Sequence, residues 1–90
     1  MARVLCEVSS GLRPTEKTVA IKDVRGPRQY LRVDDQFVVR EGTRTFLPVG
    51  LIGVDSARKV ALIELPHEAD SGANRVWVAL DEVQIEEAVP

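Results

Sequence analysis

Ninety residues with 44% apolar and 29% charged side chains support one small hydrophobic core and leave no chain for a second. A formal net charge of −2 and a pI of 5.3 exclude a polycation that binds nucleic acid by charge alone. A single cysteine, Cys6, excludes an internal disulfide and points to a reducing compartment.

No apolar run approaches the ~18 residues of a membrane span, and MARVLCEVSS lacks the apolar block of a signal peptide. The expectation is a cytoplasmic protein with no membrane contact. Residues 1–85 read as one domain and 86–90 as a flexible, solvated tail. Val, Leu and Ile dominate the apolar set while aromatics make up 4%, which favours β-sheet packing.

In chain order, Val4, Cys6 and Val8 share one face of a first strand. SSGLRPTE breaks it, with Gly11 and Pro14 as punctuation. In TVAIKDV, Val19 and Ile21 point one way and Ala20 and Lys22 the other, the period of two of a half-buried strand. Gly26-Pro27 turns the chain into RQYLRV, where Leu31 and Val33 face inward. QFVVREGTRTFLPV reads as a hairpin in which Phe37 and Val39 alternate, Glu41-Gly42 makes the tight turn, and Thr43 to Leu47 returns. Pro48 is expected to end regular pairing because it has no N–H to donate.

GLIGVDSARKVALIELP reads as another hairpin around Asp55-Ser56-Ala57-Arg58, with Gly50 and Gly53 marking a bulge or a sharply curved strand. VALIEL is apolar on both faces and belongs at the sheet centre. RVWVAL returns to strict alternation, with Val76, Val78 and Leu80 together. At the end, Asp81 is expected to cap a helical turn carrying Glu82 to Gln84; the alternative is that EVQI forms one more edge strand. Short strands at close spacing read as an all-β fold: a small, strongly bent antiparallel barrel, with a two-sheet β-sandwich as the alternative. Closure into a barrel removes exposed edges from so short a chain.

RVWVALDEV resembles the last strand and closing turn of Src-homology-3-like barrels. The resemblance covers the C-terminal third and implies packing roles for Val76, Val78 and Val83, with the valine plugging the barrel bottom. The peptide-binding members of that family carry a tyrosine-rich opening motif, a tryptophan pair and a proline before the closing turn. Here Ala79 stands in place of that proline, beside one tryptophan and one tyrosine, Tyr30. The resemblance therefore implies the fold and not a proline-peptide groove, and fold does not settle function.

LPHEADSGANRVWV contains the chain's one histidine and one tryptophan. His67, Asp70 and Ser71 are the residue types of a nucleophilic triad. A triad, however, needs geometry set from separate rigid elements and oxyanion donors. His67, Glu68 and Asp70 are possible metal ligands, but zinc prefers several nitrogen or sulfur donors and no second histidine exists. No catalytic, metal or cofactor-binding residue is assigned. The stretch is longer than a hairpin needs, and long loops carry function more often than tight turns do. Trp77 lies opposite the Val76/Val78 face, either covered by another segment or serving as a binding anchor.

Cys6 shares its face with Val4 and Val8 and reads as a buried structural thiol. Charge is unevenly spread. From Arg13 to Arg44 eight basic residues face five acids, and from Thr45 to Pro90 three face eight. The expected function is a non-enzymatic binding or accessory module for another protein or a second copy of itself, contacting through His67, Glu68, Asp70, Asn74, Arg75 and Trp77. One alternative is a nucleic-acid accessory domain using Arg25, Arg28, Tyr30, Arg32 and Arg44. A further alternative is a small hydrolytic or metal-dependent protein using the 66–75 loop.

Overall fold

The computed structural model describes residues 1–86. Eight strands form the fold: β1 (Ala2–Ser10), β2 (Glu16–Ile21), β3 (Gln29–Asp34), β4 (Val39–Glu41), β5 (Arg44–Asp55), β6 (Val60–Glu64), β7 (Arg75–Ala79) and β8 (Val83–Ile85). Two 3₁₀ turns, Asp35–Phe37 and Leu80–Glu82, interrupt them. The sheet runs β3-β2-β1-β5-β6-β7, with β4 on β5 and β8 on β1. All pairings are antiparallel. The chain is all-β, a strongly curled half-barrel consistent with a small Src-homology-3-like barrel. No helix among the described residues is long and apolar enough to cross a membrane.

The period-two reading places the core. Val4 and Cys6, Val19 and Ile21, Leu31 and Val33, and Val76 and Val78 are buried on the inner face, joined by Leu47, Val49, Ala61 and Ile63. Val83 packs partly buried against this cluster. The VALIEL stretch lies where its two apolar faces require, between β5 and β7. Burying these side chains is the main favourable term in folding.

β5 serves two parts of the sheet. Its first half lies between β1 and β4, and its second half pairs with β6. The register shifts between Leu51 and Gly53, the bulge expected from the two glycines. Pro48 does not end the strand, contrary to expectation: it pairs with Arg3 inside a continuous Arg44–Asp55 ladder. Lacking an N–H, it must occupy a non-hydrogen-bonded position, its nitrogen turned to the other edge. There β4 has already ended at the Val39–Phe46 pair, so no ladder bond is lost.

Phe37 departs from the expected alternation as well. Asp34 accepts a hydrogen bond from the Gln36 amide at 3.1 Å and caps the Asp35–Phe37 turn. That turn resets the parity, so Phe37 is 57% exposed and Val38 takes the buried place. The hairpin that follows pairs Glu41 with Arg44 around Gly42-Thr43, one residue later than the Glu41-Gly42 turn read from sequence. Gly42 has φ +58°, a conformation glycine adopts freely.

At the C-terminal end, Asp81 is not a cap. The Leu80–Glu82 turn starts from Ala79 without a side-chain cap, and Asp81 lies inside it. The edge-strand alternative holds: β8 pairs Val83 with Val4 and Ile85 with Ala2. Glu86, assigned to the tail, donates its amide to the Met1 carbonyl at 2.9 Å and accepts from the Met1 nitrogen at 3.1 Å. The rest of the expected tail, 87–90, lies outside the described residues.

Gly11 is required for a different reason. Its amide donates to the Glu16 carbonyl at 3.0 Å, and a Cβ there would lie 2.6 Å from that same oxygen. Gly11→Ala is expected to lower stability by about 1–3 kcal/mol in urea unfolding. Gly26→Ala, with nothing within 4 Å of its Cβ position, should stay within about 0.5 kcal/mol of the parent.

Candidate functional site

The long connection from β6 to β7 is bound to the sheet. Its base is closed by the Leu65 amide donating to the Asn74 carbonyl, and its tip by Ala69 with Ala73 and Gly72 with Ala69, each at 2.8 Å. Leu65 and Ala69 are buried and anchor it to the core. The Asp70 amide donates to the Tyr30 carbonyl at 2.8 Å, and His67 Nε2 donates to the Arg32 carbonyl at 2.6 Å. Tyr30 and Arg32 are two apart on β3, so their carbonyls leave the strand on the same side, the edge that β2 does not cover. The loop stands in for a neighbouring strand.

Side chains reinforce this seam. Asp70 forms an ion pair with Arg32, and the Ser71 hydroxyl donates to Gln29 Oε1 at 2.6 Å. The other ring nitrogen of His67, Nδ1, lies 3.0 Å from the Glu68 carbonyl. Both nitrogens of the imidazole thus face main-chain carbonyls. Glu68 is exposed and Asn74 half-buried. No group of three or more His, Cys, Asp or Glu side chains converges among the described residues.

Trp77 lies elsewhere. It is half-buried on the outer face opposite Leu62, and its carbonyl accepts the Val24 amide at 3.0 Å. With Val24, Arg25, Asp55, Arg58 and Val60 it lines a hollow of about 250 Å³. Arg75 pairs with Glu64 at 3.1 Å. Of the six residues expected to meet a partner, His67 and Asp70 thus lie at the seam on β3, Arg75 and Trp77 on the outer face of β7, and Glu68 and Asn74 in the loop between them.

The arginines of the nucleic-acid reading are also dispersed. Arg28 pairs with Glu7 and Arg32 with Asp70. The Arg44 guanidinium lies over the Phe46 ring at 5.1 Å, and that of Arg3 at 4.5 Å, covering a ring that is buried although it points away from Leu47 by strand parity. Arg25 sits at the Trp77 hollow, and Tyr30 is 45% exposed. An open groove of about 560 Å³ lies between β1, β2 and the start of β5; Glu7, Lys22, Arg44 and Glu82 give it mixed charge.

Cys6 is buried, as expected, and removal of the thiolate from water pushes its pKa up against the smaller opposing effects of Thr45 and Arg40. The feature that sequence reading missed is the second half of β5. Leu51, Ile52 and Val54 are exposed there, within a run, GLIGVD, whose apolar character alone predicts burial. Comparison with protein-family models, with curated proteins and with solved structures returns no match.

His67→Ala removes the donor to the Arg32 carbonyl. It should cost about 0.5–1.5 kcal/mol in chemical denaturation and speed hydrogen exchange of the Asp70 amide, whereas Glu68→Ala should change neither. The Cys6 thiol should react with iodoacetamide at least about tenfold more slowly in the folded protein than in urea. Because its pKa is raised, the contribution of the neutral thiol to stability holds below the unfolded-state value and is lost as pH rises through the folded one.

Proposed function

We propose that this chain is a non-enzymatic binding module whose partner is another protein. The observation that carries the reading is the distal half of β5, where Leu51, Ile52 and Val54 are 37%, 44% and 45% exposed within four consecutive residues. Single exposed apolar side chains are ordinary on a protein surface; a run of them on one strand is the usual character of a contact surface. Release of water from these side chains supplies the affinity, and polar groups around them set the orientation. The seam residues His67 and Asp70 then serve the scaffold, holding β3 and the loop in place.

The nucleic-acid reading has less support. A phosphate-binding stripe needs free, adjacent cations, and Arg28, Arg32 and Arg44 are each engaged within the chain. The third reading, chemistry at His67, competes with two main-chain carbonyls for the ring nitrogens.

Affinity purification with the parent and with Ile52→Lys/Val54→Lys tests the reading. Both substituted side chains are exposed, so the variant should keep its circular dichroism spectrum. Proteins retained by the parent are expected to disappear from the variant. The same set retained by both would refute this surface as the binding face.

A further inference from the structure

We infer that the open edge of β5 takes up an extended peptide segment of a partner protein as an added strand. This rests on the protein-binding reading above and specifies how the partner is held. In the sheet, β5 lies between β1 and β6. β1 follows it only as far as the Ala2–Val49 pair, while β6 joins it only from Gly50–Glu64 onward. From Gly50 to Asp55 the side that faced β1 has no strand, and no backbone hydrogen bond to it occurs among the described residues.

Alternate residues of that stretch therefore turn N–H and C=O groups outward. Such a row is met geometrically by another extended backbone, which offers donors and acceptors at the same two-residue spacing. A segment docked there continues the line of β1. It is bounded by the end of β1 on one side and by the 56–59 turn on the other, leaving room for about six residues, roughly 20 Å.

Side chains define the sequence that fits. Leu51 and Val54 oppose Ile63 and Ala61 across the β5–β6 ladder, so they present apolar surface beside the incoming strand. Gly53 leaves a gap: nothing lies within 4 Å of its Cβ position, and a bulky residue of the partner opposite it fills that space. Past Asp55, Arg58 pairs with Asp55 itself at 3.7 Å, and the exposed Lys59 is the cation that suits an acidic residue at that end of the segment. The bulge between Leu51 and Gly53 interrupts the row of polar groups. It disfavours indiscriminate pairing with long strands and selects a short segment in one register.

A second copy of this chain fits less well. Antiparallel self-pairing centred on Ile52 and Gly53 would place the 56–59 turn of one copy against Ala2 at the end of β1 of the other. A free-ended segment meets no such obstacle.

The test uses ¹⁵N-labelled protein and a capped heptapeptide, acetyl-ETVFVTS-amide, with versions in which the central Phe is Tyr, Trp or Leu. A control peptide has the two central-flanking valines replaced by proline. Hydrogen exchange of alternate amides between Gly50 and Asp55 is expected to slow at least about tenfold with the former peptides and to be unchanged with the proline control. Gly53→Val fills the gap in a site open enough to accept it, so it should keep the fold and weaken peptide binding about tenfold or more. Unchanged exchange at millimolar peptide overturns the proposal, as do shift changes confined to the Trp77 hollow. Slowing that appears without peptide as protein concentration rises assigns the edge to a second copy and overturns it equally. If Ile52→Lys/Val54→Lys still abolishes protein capture while no amide slows, the binding surface stands and strand addition fails; if neither responds, both fail.

Discussion

Every strand edge is a row of N–H and C=O groups that must meet protein or water, and this requirement organises the molecule. Short chains have a high ratio of edge to interior, so each edge needs its own solution. The edge of β1 beyond β5 receives β8. That of β3 receives the 66–74 loop, through the carbonyls of Tyr30 and Arg32. β7 is tied to the β2–β3 connection by the Val24 amide. These closures draw a linear sheet into a half-barrel, and the inner faces of its strands then share one core. On the distal half of β5, on the side that faced β1, no such closure exists among the described residues, and apolar side chains stand exposed there.

The same closures use up the charges. The basic first half and acidic second half of the chain are partly interleaved by folding: Arg32 from one meets Asp70 from the other across the β3 seam. Arg28 and Arg40 pair within the first half, with Glu7 and Asp35. Exposed pairs of this kind contribute about 0–1 kcal/mol each, so they orient segments more than they stabilise them. Their consequence for function is larger than their energy, because an arginine held by a carboxylate is poorly placed to hold a phosphate.

Side-chain alternation was legible in the sequence wherever a strand has its inner face over the core. Val4 with Cys6, Val19 with Ile21, Leu31 with Val33, and Val76 with Val78 all follow it. It failed where a local turn reset the parity: the Asp34 cap sends Phe37 outward and Val38 inward. It failed again at Pro48, since whether a proline ends a strand depends on which neighbour its nitrogen faces. The role of His67 was hidden for a related reason. Its partner is a main-chain carbonyl on Arg32, which no pattern of side chains reveals. The exposure of Leu51, Ile52 and Val54 depends on where β1 stops, a property of strand order and not of the GLIGVD stretch itself.

That stretch joins several features that each look like a defect in a strand. Pro48 removes a donor, Gly50 and Gly53 remove side chains, and the register shifts at Ile52. Together they let one strand bend from the β1 ladder into the β6 ladder, with Leu47 and Val49 buried before the bend. Beyond it, Leu51 and Val54 keep the same apolar character without the same cover. Full burial of a side chain of this kind is worth about 1.5–3 kcal/mol, a large amount beside the 5–15 kcal/mol that separates folded from unfolded domains. Curvature of the barrel explains the glycines and the bulge, but it requires no apolar side chains at positions the core leaves exposed; polar β-formers such as Thr would twist as readily. The contact with a second polypeptide proposed above would give these side chains the cover that the chain itself does not supply.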